Sequence, residues 1–508
     1  MIKQGKRVTV TLAAFGLMTS ALLSGCGASN PGSSANSGSS AGGKTTDISI
    51  MVINYGKQFA DENNVMWKEI EKRTNTKLHV TWVSPNNILE KTNVTLASGD
   101  IPDLMFLESL ETPQFRSMIS QGAFWDLTPF LKDYPNFKNV PDYAWENSKI
   151  NGKAYVVPRP YPVVGGGLFP LIRKDWLDKL NLKMPETLDD FKKTLHAFVN
   201  NDPDGNGQKD TTGYSAMTSS LGFIYNVYNN TNGEWKEKDG KLVPIITEPE
   251  SKEALLYIKS LYDENLISKD FPVLKLSNIG DAVNSGKAGS AGYAMNNGWT
   301  FTAELRKTNP QAAMVPVPFL KGPQGNKFTI STDGYYGAFA IPKKVPEDKV
   351  KKILAFMDYG YSKEGNDLAN YGIKDVHYTE KDGMKVTTDK FETDLIDGNF
   401  KGVYILNSND LVTLVPGITP EFYDINKKVY AEREQAAPKN PSVGVYSETR
   451  TKLWTDLKKK VDDMRVKIIM GQEKIEVYDA FIEKLKQDAE LQKMIKEMNE
   501  SYAQKTKK

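Results

Sequence analysis

Cys26 is the single cysteine in a chain of 508 residues, and it closes an apolar leader. No intrachain disulfide is open to such a chain, so burial and hydrogen bonding alone must hold its fold. The leader opens Met-Ile-Lys-Gln-Gly-Lys-Arg, where Lys3, Lys6 and Arg7 form a positive start, and continues through the apolar stretch 8–23. That stretch falls short of the about 20 apolar residues a bilayer-spanning helix needs, and it reads as an export signal.

The residues Leu23-Ser24-Gly25-Cys26 resemble a bacterial lipobox. The resemblance implies cleavage before Cys26, lipidation of its thiol, and work on the outer face of the cytoplasmic membrane. Residues 27–46 are mostly Gly, Ser, Ala and Asn with almost no apolar content. A segment of this kind stays a coil spanning roughly 25 Å. We therefore expect a signal peptide over 1–25 and a tether over 26–46.

The residues that follow are too many for a single core, which predicts at least two lobes. The chain carries a formal charge of +2, and loss of the three leader cations takes it to about −1. Near-neutrality argues against nucleic acid as a partner, and against a strongly charged polymer unless a local patch binds it. The histidines are His79, His196 and His377, and no pair has zinc-motif spacing. No GxSxG, P-loop or Rossmann fingerprint occurs.

Apolar periodicity predicts strands over 48–53, 78–82 and 104–107, alternating with helices over 61–74 and 88–96. Gly99 should stop the second helix. Thr112-Pro113 should cap and open a third that runs to Gln121. This order implies an α/β lobe with a mostly parallel sheet, whose ligands bind at the carboxyl ends of the strands. A second alternating region has a strand over 168–173, a helical stretch over 175–180, and a helix capped by Thr187 and Asp190. Another amphipathic helix covers 249–264, and the charged tail beyond 449 reads as packed surface helices.

Several stretches resemble bacterial extracellular solute-binding proteins of the sugar-binding family 1, in particular their long LplA-like lipoproteins. They are Leu96-Ala97-Ser98-Gly99-Asp100-Ile101-Pro102-Asp103-Leu104, Phe124-Trp125-Asp126-Leu127-Thr128-Pro129, Asn151-Gly152-Lys153-Ala154-Tyr155-Val156-Val157-Pro158-Arg159-Pro160, Ile172-Arg173-Lys174-Asp175-Trp176-Leu177, Gly286-Lys287-Ala288-Gly289 and Tyr371-Gly372-Ile373. The resemblance implies a two-lobed, periplasmic-binding-protein-like class II fold that closes on its ligand. It also implies a monomer, an oligosaccharide ligand, and the permease of an ABC importer as partner, with no enzymatic step. By similarity the chain crosses between lobes near 159–167, near 329–334 and after Gly372. This gives an N-terminal lobe of 47–163 plus about 333–385 and a C-terminal lobe of 164–332 plus about 386–508. A receptor of the same fold for peptide or another solute, and a sensor not coupled to import, remain open alternatives. A surface glycoside hydrolase is disfavoured for want of any catalytic motif.

Residues 201–211 place oxygen donors at Asp202, Asp204, Asn206 and Asp210, with the Gln208 carbonyl between and Gly207 at the turn. This is the alternating spacing of an EF-hand loop, which suits Ca²⁺, although Gly213 stands where the bidentate Glu belongs. A structural Ca²⁺ is expected here; the alternative is a metal-free Asp/Asn/Gly turn.

Neutral sugars call for aromatic rings and a few convergent polar groups. Position selects Tyr55 after the first strand, Glu108 after the third, Arg159 and Tyr161 in the first crossover, and Asp333, Tyr335 and Tyr336 in the second. Trp299, in Met295-Asn296-Asn297-Gly298-Trp299, lies in a stretch that resembles the Asn-Gly-Pro-Trp segment of maltose-binding proteins, which implies stacking on sugar.

Overall fold

The computed structural model describes residues 44–56, 58–381, 383–404 and 410–506. The expected signal peptide, the lipidation site at Cys26 and nearly all of the expected tether lie outside the described residues. Among the described residues, no helix is long and apolar enough to cross a membrane.

Strands β1 (Thr46–Ile53), β2 (Thr76–Val83) and β3 (Leu104–Leu107) pair in parallel, with β1 in the middle. Ile48, Ile50, Val52 and all of β3 are buried, as a sheet covered on both faces requires. Asn64 accepts the amides of Met66 and Trp67 through its side chain, so the first helix is Val65–Thr74 and begins later than the expected 61. Gly99, in the left-handed region, ends helix Ile88–Ser98 as expected. Helix Pro113–Ser120 opens on its proline, but the Thr112 hydroxyl does not cap it and is buried without a partner.

The first sheet also takes β4 (Val156–Pro160). The chain then leaves for a second sheet of β5 (Phe169–Arg173), β6 (Thr212–Ser215), β7 (Ala288–Tyr293) and β8 (Met314–Pro316), in the order β8-β5-β7-β6. It returns as β9 (Tyr335–Ala340), which fills the gap between β3 and β4 to give β2-β1-β3-β9-β4. The strands of each sheet share one direction apart from a single reversed member. That member is β9 in the first sheet, antiparallel to β3 and β4, and β5 in the second, antiparallel to β7 and β8. Each is the strand that arrives from the other lobe. It enters at the end where the resident strands finish, and so runs against them.

The two crossings lie side by side. Tyr161 donates its amide to Gly334 (3.0 Å), Thr332 donates to Val163 (2.8 Å), and Val164 bridges Ser331. These contacts lie within 159–167 and 329–334. Burial places the third passage. Phe391, Ile396, Phe400, Val403 and Tyr404 are buried in the first core, while Val415, Ile418 and Phe422 belong to the second. The expected boundary near 385 is therefore too early, and the passage follows Tyr404. The reason is aromatic packing: the Phe400 ring lies edge-on to Trp67 at 5.5 Å and to Trp82 at 5.4 Å.

In the second lobe, Thr187 and Asp190 form the full reciprocal capping box of helix Leu188–Asn200. Leu188, Phe191, Leu195 and Phe198 are buried along one face of it. The tail helices Glu448–Ile469, Ile475–Lys486 and Ala489–Thr506 bury Trp454, Val461, Tyr478, Leu491, Met494 and Met498 in the same core, so the tail is packed surface helix.

Candidate functional site

Tyr55 and Glu108 follow the carboxyl ends of β1 and β3, while Arg159 and Tyr161 flank the end of β4. Because β9 is reversed, its first residues lie at that same edge. The structure gathers Tyr55, Glu108, Arg159, Tyr161 and Tyr336 there, with Tyr336 at the centre. The Tyr336 hydroxyl donates to Glu108 Oε1 at 2.6 Å. Its ring centre is 6.5 Å from that of Tyr55 and 6.4 Å from that of Tyr161. The Arg159 Cζ stands 5.7 Å from the same ring centre. Tyr55 is 53% exposed, Glu108 is exposed and Tyr161 is half-buried, so the group faces outward over a buried base.

A bulge sets this edge. The β4–β9 register shifts between Tyr335 and Ala338, and Gly337 sits there at φ +70°. A side chain at Gly337 would collide with the Phe106 ring, so only glycine lets β9 approach β3 this closely. Desolvation, opposed by Arg159, pushes the Tyr161 phenol up to about 12. Desolvation and the charges of Tyr55 and Glu108 push Tyr336 well above the usual phenol range. Both rings therefore stay neutral hydroxyl donors at physiological pH.

The other candidates lie elsewhere. Tyr335 packs on the first core, as Tyr336 does, but makes none of the ring contacts to Tyr55 and Tyr161. Asp333 accepts from Asn440 Nδ2 at 3.4 Å, and its own carbonyl takes Asn147 Nδ2 at 2.8 Å, so it ties the crossing to both lobes. Burial raises its carboxyl above the usual range, against the pull of Asn440. Trp299, in helix Asn297–Leu305, packs on Phe422 at 5.2 Å rather than on the tyrosines. The sequence reading missed Tyr361, which is fully buried beneath β4 and donates its hydroxyl to the Pro158 carbonyl at 2.9 Å. Nothing in its helical surroundings marked it. A shallow polar depression of about 470 Å³ in the second lobe, lined by Asn229, Lys236, Glu250 and Gln324 among others, holds no aromatic side chain.

The loop after helix Leu188–Asn200 winds around its carboxylates. Asp202 accepts the amides of Gly205 and Asn206 at 3.0 Å each and of Gly207 at 3.1 Å. Asn206 donates to Asp204 (2.9 Å) and Asp210 (3.2 Å), and its own oxygen takes the Gln208 amide (2.7 Å). The Lys287 ammonium bridges Asp204 at 3.1 Å and Asp210 at 2.6 Å. Lys287 holds the Asp210 carboxyl below its usual range; in Asp202, backbone amides outweigh desolvation to the same effect. Among the described residues, no group of three or more His, Cys, Asp or Glu side chains is disposed as a metal cage. The donor set nonetheless has hard-cation chemistry, being carboxylate, amide and carbonyl oxygens, and two of its carboxylates, Asp204 and Asp210, already hold the Lys287 ammonium.

The model of the bacterial extracellular solute-binding protein family matches residues 37–367. The chain belongs to that family. Lipoprotein LipO of Bacillus subtilis (strain 168) is 29% identical over 494 residues, covering 95% of this chain and 96% of LipO. The polygalacturonan/rhamnogalacturonan-binding protein YtcQ of the same organism is 28% identical over 505 residues, covering 98% of this chain and 99% of YtcQ. The crystal structure of the alginate-binding protein AlgQ2 without calcium ion shares the fold, with a TM-score of 0.73 at 23% identity, covering 91% of this chain and 98% of AlgQ2. The tyrosine edge lies where the chain passes from one sheet to the other.

Proposed function

We propose that this chain captures an oligosaccharide between its two lobes and delivers it, chemically unchanged, to the permease of an ABC importer. The observation that carries this reading is the convergence of Tyr55, Tyr161 and Tyr336 with Glu108 and Arg159 at one sheet edge. Tyrosine rings stack on the C–H faces of a sugar, while neutral phenols, a carboxylate and a guanidinium satisfy its hydroxyls. Ligand that touches both lobes favours the closed form over the open one, and the permease reads that difference. The protein names of YtcQ and AlgQ2 refer to polysaccharides, which supports the substrate class. Lipidation at Cys26 holds the receptor, a monomer, at the outer face of the membrane.

A structural Ca²⁺ belongs to the same proposal. Asp202, Asp204, Asn206, Asp210 and the Gln208 carbonyl would hold it, with Lys287 yielding its place. The ion would fix the loop that joins helix Leu188–Asn200 to β6.

A thermal-shift screen of the full chain with Ca²⁺ present tests the function. Ligand at 100 times its Kd adds about 2.7 kcal/mol, a visible rise in melting temperature. We expect a rise with one class of oligosaccharide, which is then recovered intact. A rise with peptides alone, or with no oligosaccharide, would sink the reading.

A further inference from the structure

Arg159 lies in β4 between residues sealed in the first core and is itself 5% exposed. Its guanidinium carries five N–H donors in a planar fork and no acceptor. Among the described residues it joins no ion pair and donates no hydrogen bond. Its Nε is buried without a partner, and its neighbours are phenols: the face of Tyr336, with Tyr55, Tyr161 and Tyr361 close enough to feel its charge. Among the described residues, the other buried cations each have at least one acceptor, although Arg433 Nη1 and Arg465 Nε and Nη2 are also buried without a partner. Arg173 forks onto Asp175 at 2.8 and 2.6 Å. Lys236 sits between Glu248 and Glu250 at 3.0 Å each. Arg433 gives Nε and Nη2 to the Val317 carbonyl.

A buried charge without an acceptor is costly, and removing it in favour of an apolar side chain commonly stabilises a fold. Arg159 is therefore a cation whose acceptor comes from outside. The phenols around it, Tyr55, Tyr161, Tyr336 and Tyr361, offer no carboxylate. The Tyr336 hydroxyl is spent on Glu108, Glu108 itself stands at the exposed rim, and the Tyr361 hydroxyl is spent on Pro158.

We propose that Arg159 receives a carboxylate of the ligand, so that the oligosaccharide held at this edge contains uronate residues. The proposal rests on this edge being the saccharide site. A planar guanidinium matches a carboxylate with two parallel hydrogen bonds, strengthened by low dielectric, whereas sugar hydroxyls leave its charge uncompensated. The tyrosines meanwhile take the C–H faces of the same rings. Near-neutral net charge is no obstacle, because a single buried cation discriminates locally.

Calorimetry on the full chain tests this. The probes are tetrasaccharides of galacturonate and of mannuronate and a glucuronate-bearing xylan fragment, each beside its methyl ester, together with neutral gluco-, galacto- and xylo-oligosaccharides. One uronate probe is expected to bind at least about tenfold tighter than its ester. Arg159→Met should abolish that difference and yet melt no lower than wild type, while Arg159→Lys should keep part of it. An ester that binds as tightly as its acid overturns the proposal. So does an Arg159→Met variant that melts several degrees lower and keeps the preference, which marks a structural role. Binding of a neutral oligosaccharide with every uronate refused removes the carboxylate and leaves the saccharide reading standing. Refusal of every saccharide removes both. Should Arg159→Met fail to fold, the acid–ester comparison on wild type decides alone.

Discussion

At the scale of single residues, Tyr336 joins everything at the cleft edge. It holds Glu108 through its hydroxyl, offers its face to Arg159, and stands between Tyr55 and Tyr161. Tyr336→Phe keeps the ring and removes the donor. It should leave the melting temperature within a few degrees and weaken oligosaccharide binding about tenfold, because Glu108, no longer held by Tyr336, must be ordered by the ligand. Calorimetry of the variant checks this, and unchanged affinity would place the ligand elsewhere. Tyr335 and Tyr336 also show how far sequence reaches at this scale. Both were candidates because both follow the second crossing. The face each takes depends on the bulge at Gly337, where a side chain would meet the Phe106 ring from a distant strand.

At the scale of elements, local signals were legible and long-range partners were not. The Thr187–Asp190 capping box, the Gly99 stop and the buried strands are written within a few residues. Phe400 is not: it lies between Asp397 and Lys401 in a stretch without period, and its burial comes from Trp67 and Trp82, more than three hundred residues earlier. Phe400→Ala should cost about 3–5 kcal/mol in urea unfolding, as loss of a core aromatic ring does. A surface value below about 1 kcal/mol would contradict its place in the first core. The acidic loop is a similar case, since Lys287 reaches it from 77 residues beyond Asp210. The folded pKa values of Asp202 and Asp210 are depressed, so their contribution to stability is fully present above the ordinary aspartate value and lost as pH falls through the lower folded values. Melting curves without added metal should therefore show a steeper fall below about pH 4 in wild type than in Asp210→Asn. Equal slopes would mean that the loop carries no such linkage.

At the scale of the whole molecule, two sheets share two paired crossings, and each sheet takes its reversed strand from the other lobe. The crossings at 159–167 and 329–334 were placed by family resemblance, and proline and glycine cluster only in the first. The third was not legible, because its aromatic anchors look like surface residues in sequence. Paired crossings give the lobes a common axis about which to close, and Asp333, bonded to Asn147 and Asn440, ties that axis to both lobes. A crystal structure of the full chain with the oligosaccharide that raises its melting temperature tests the account most directly. The account predicts sugar rings against Tyr55, Tyr161 and Tyr336, enclosed by residues of the second lobe. Sugar seated instead in the polar depression of Asn229, Lys236 and Glu250, with the tyrosine edge untouched, would contradict it.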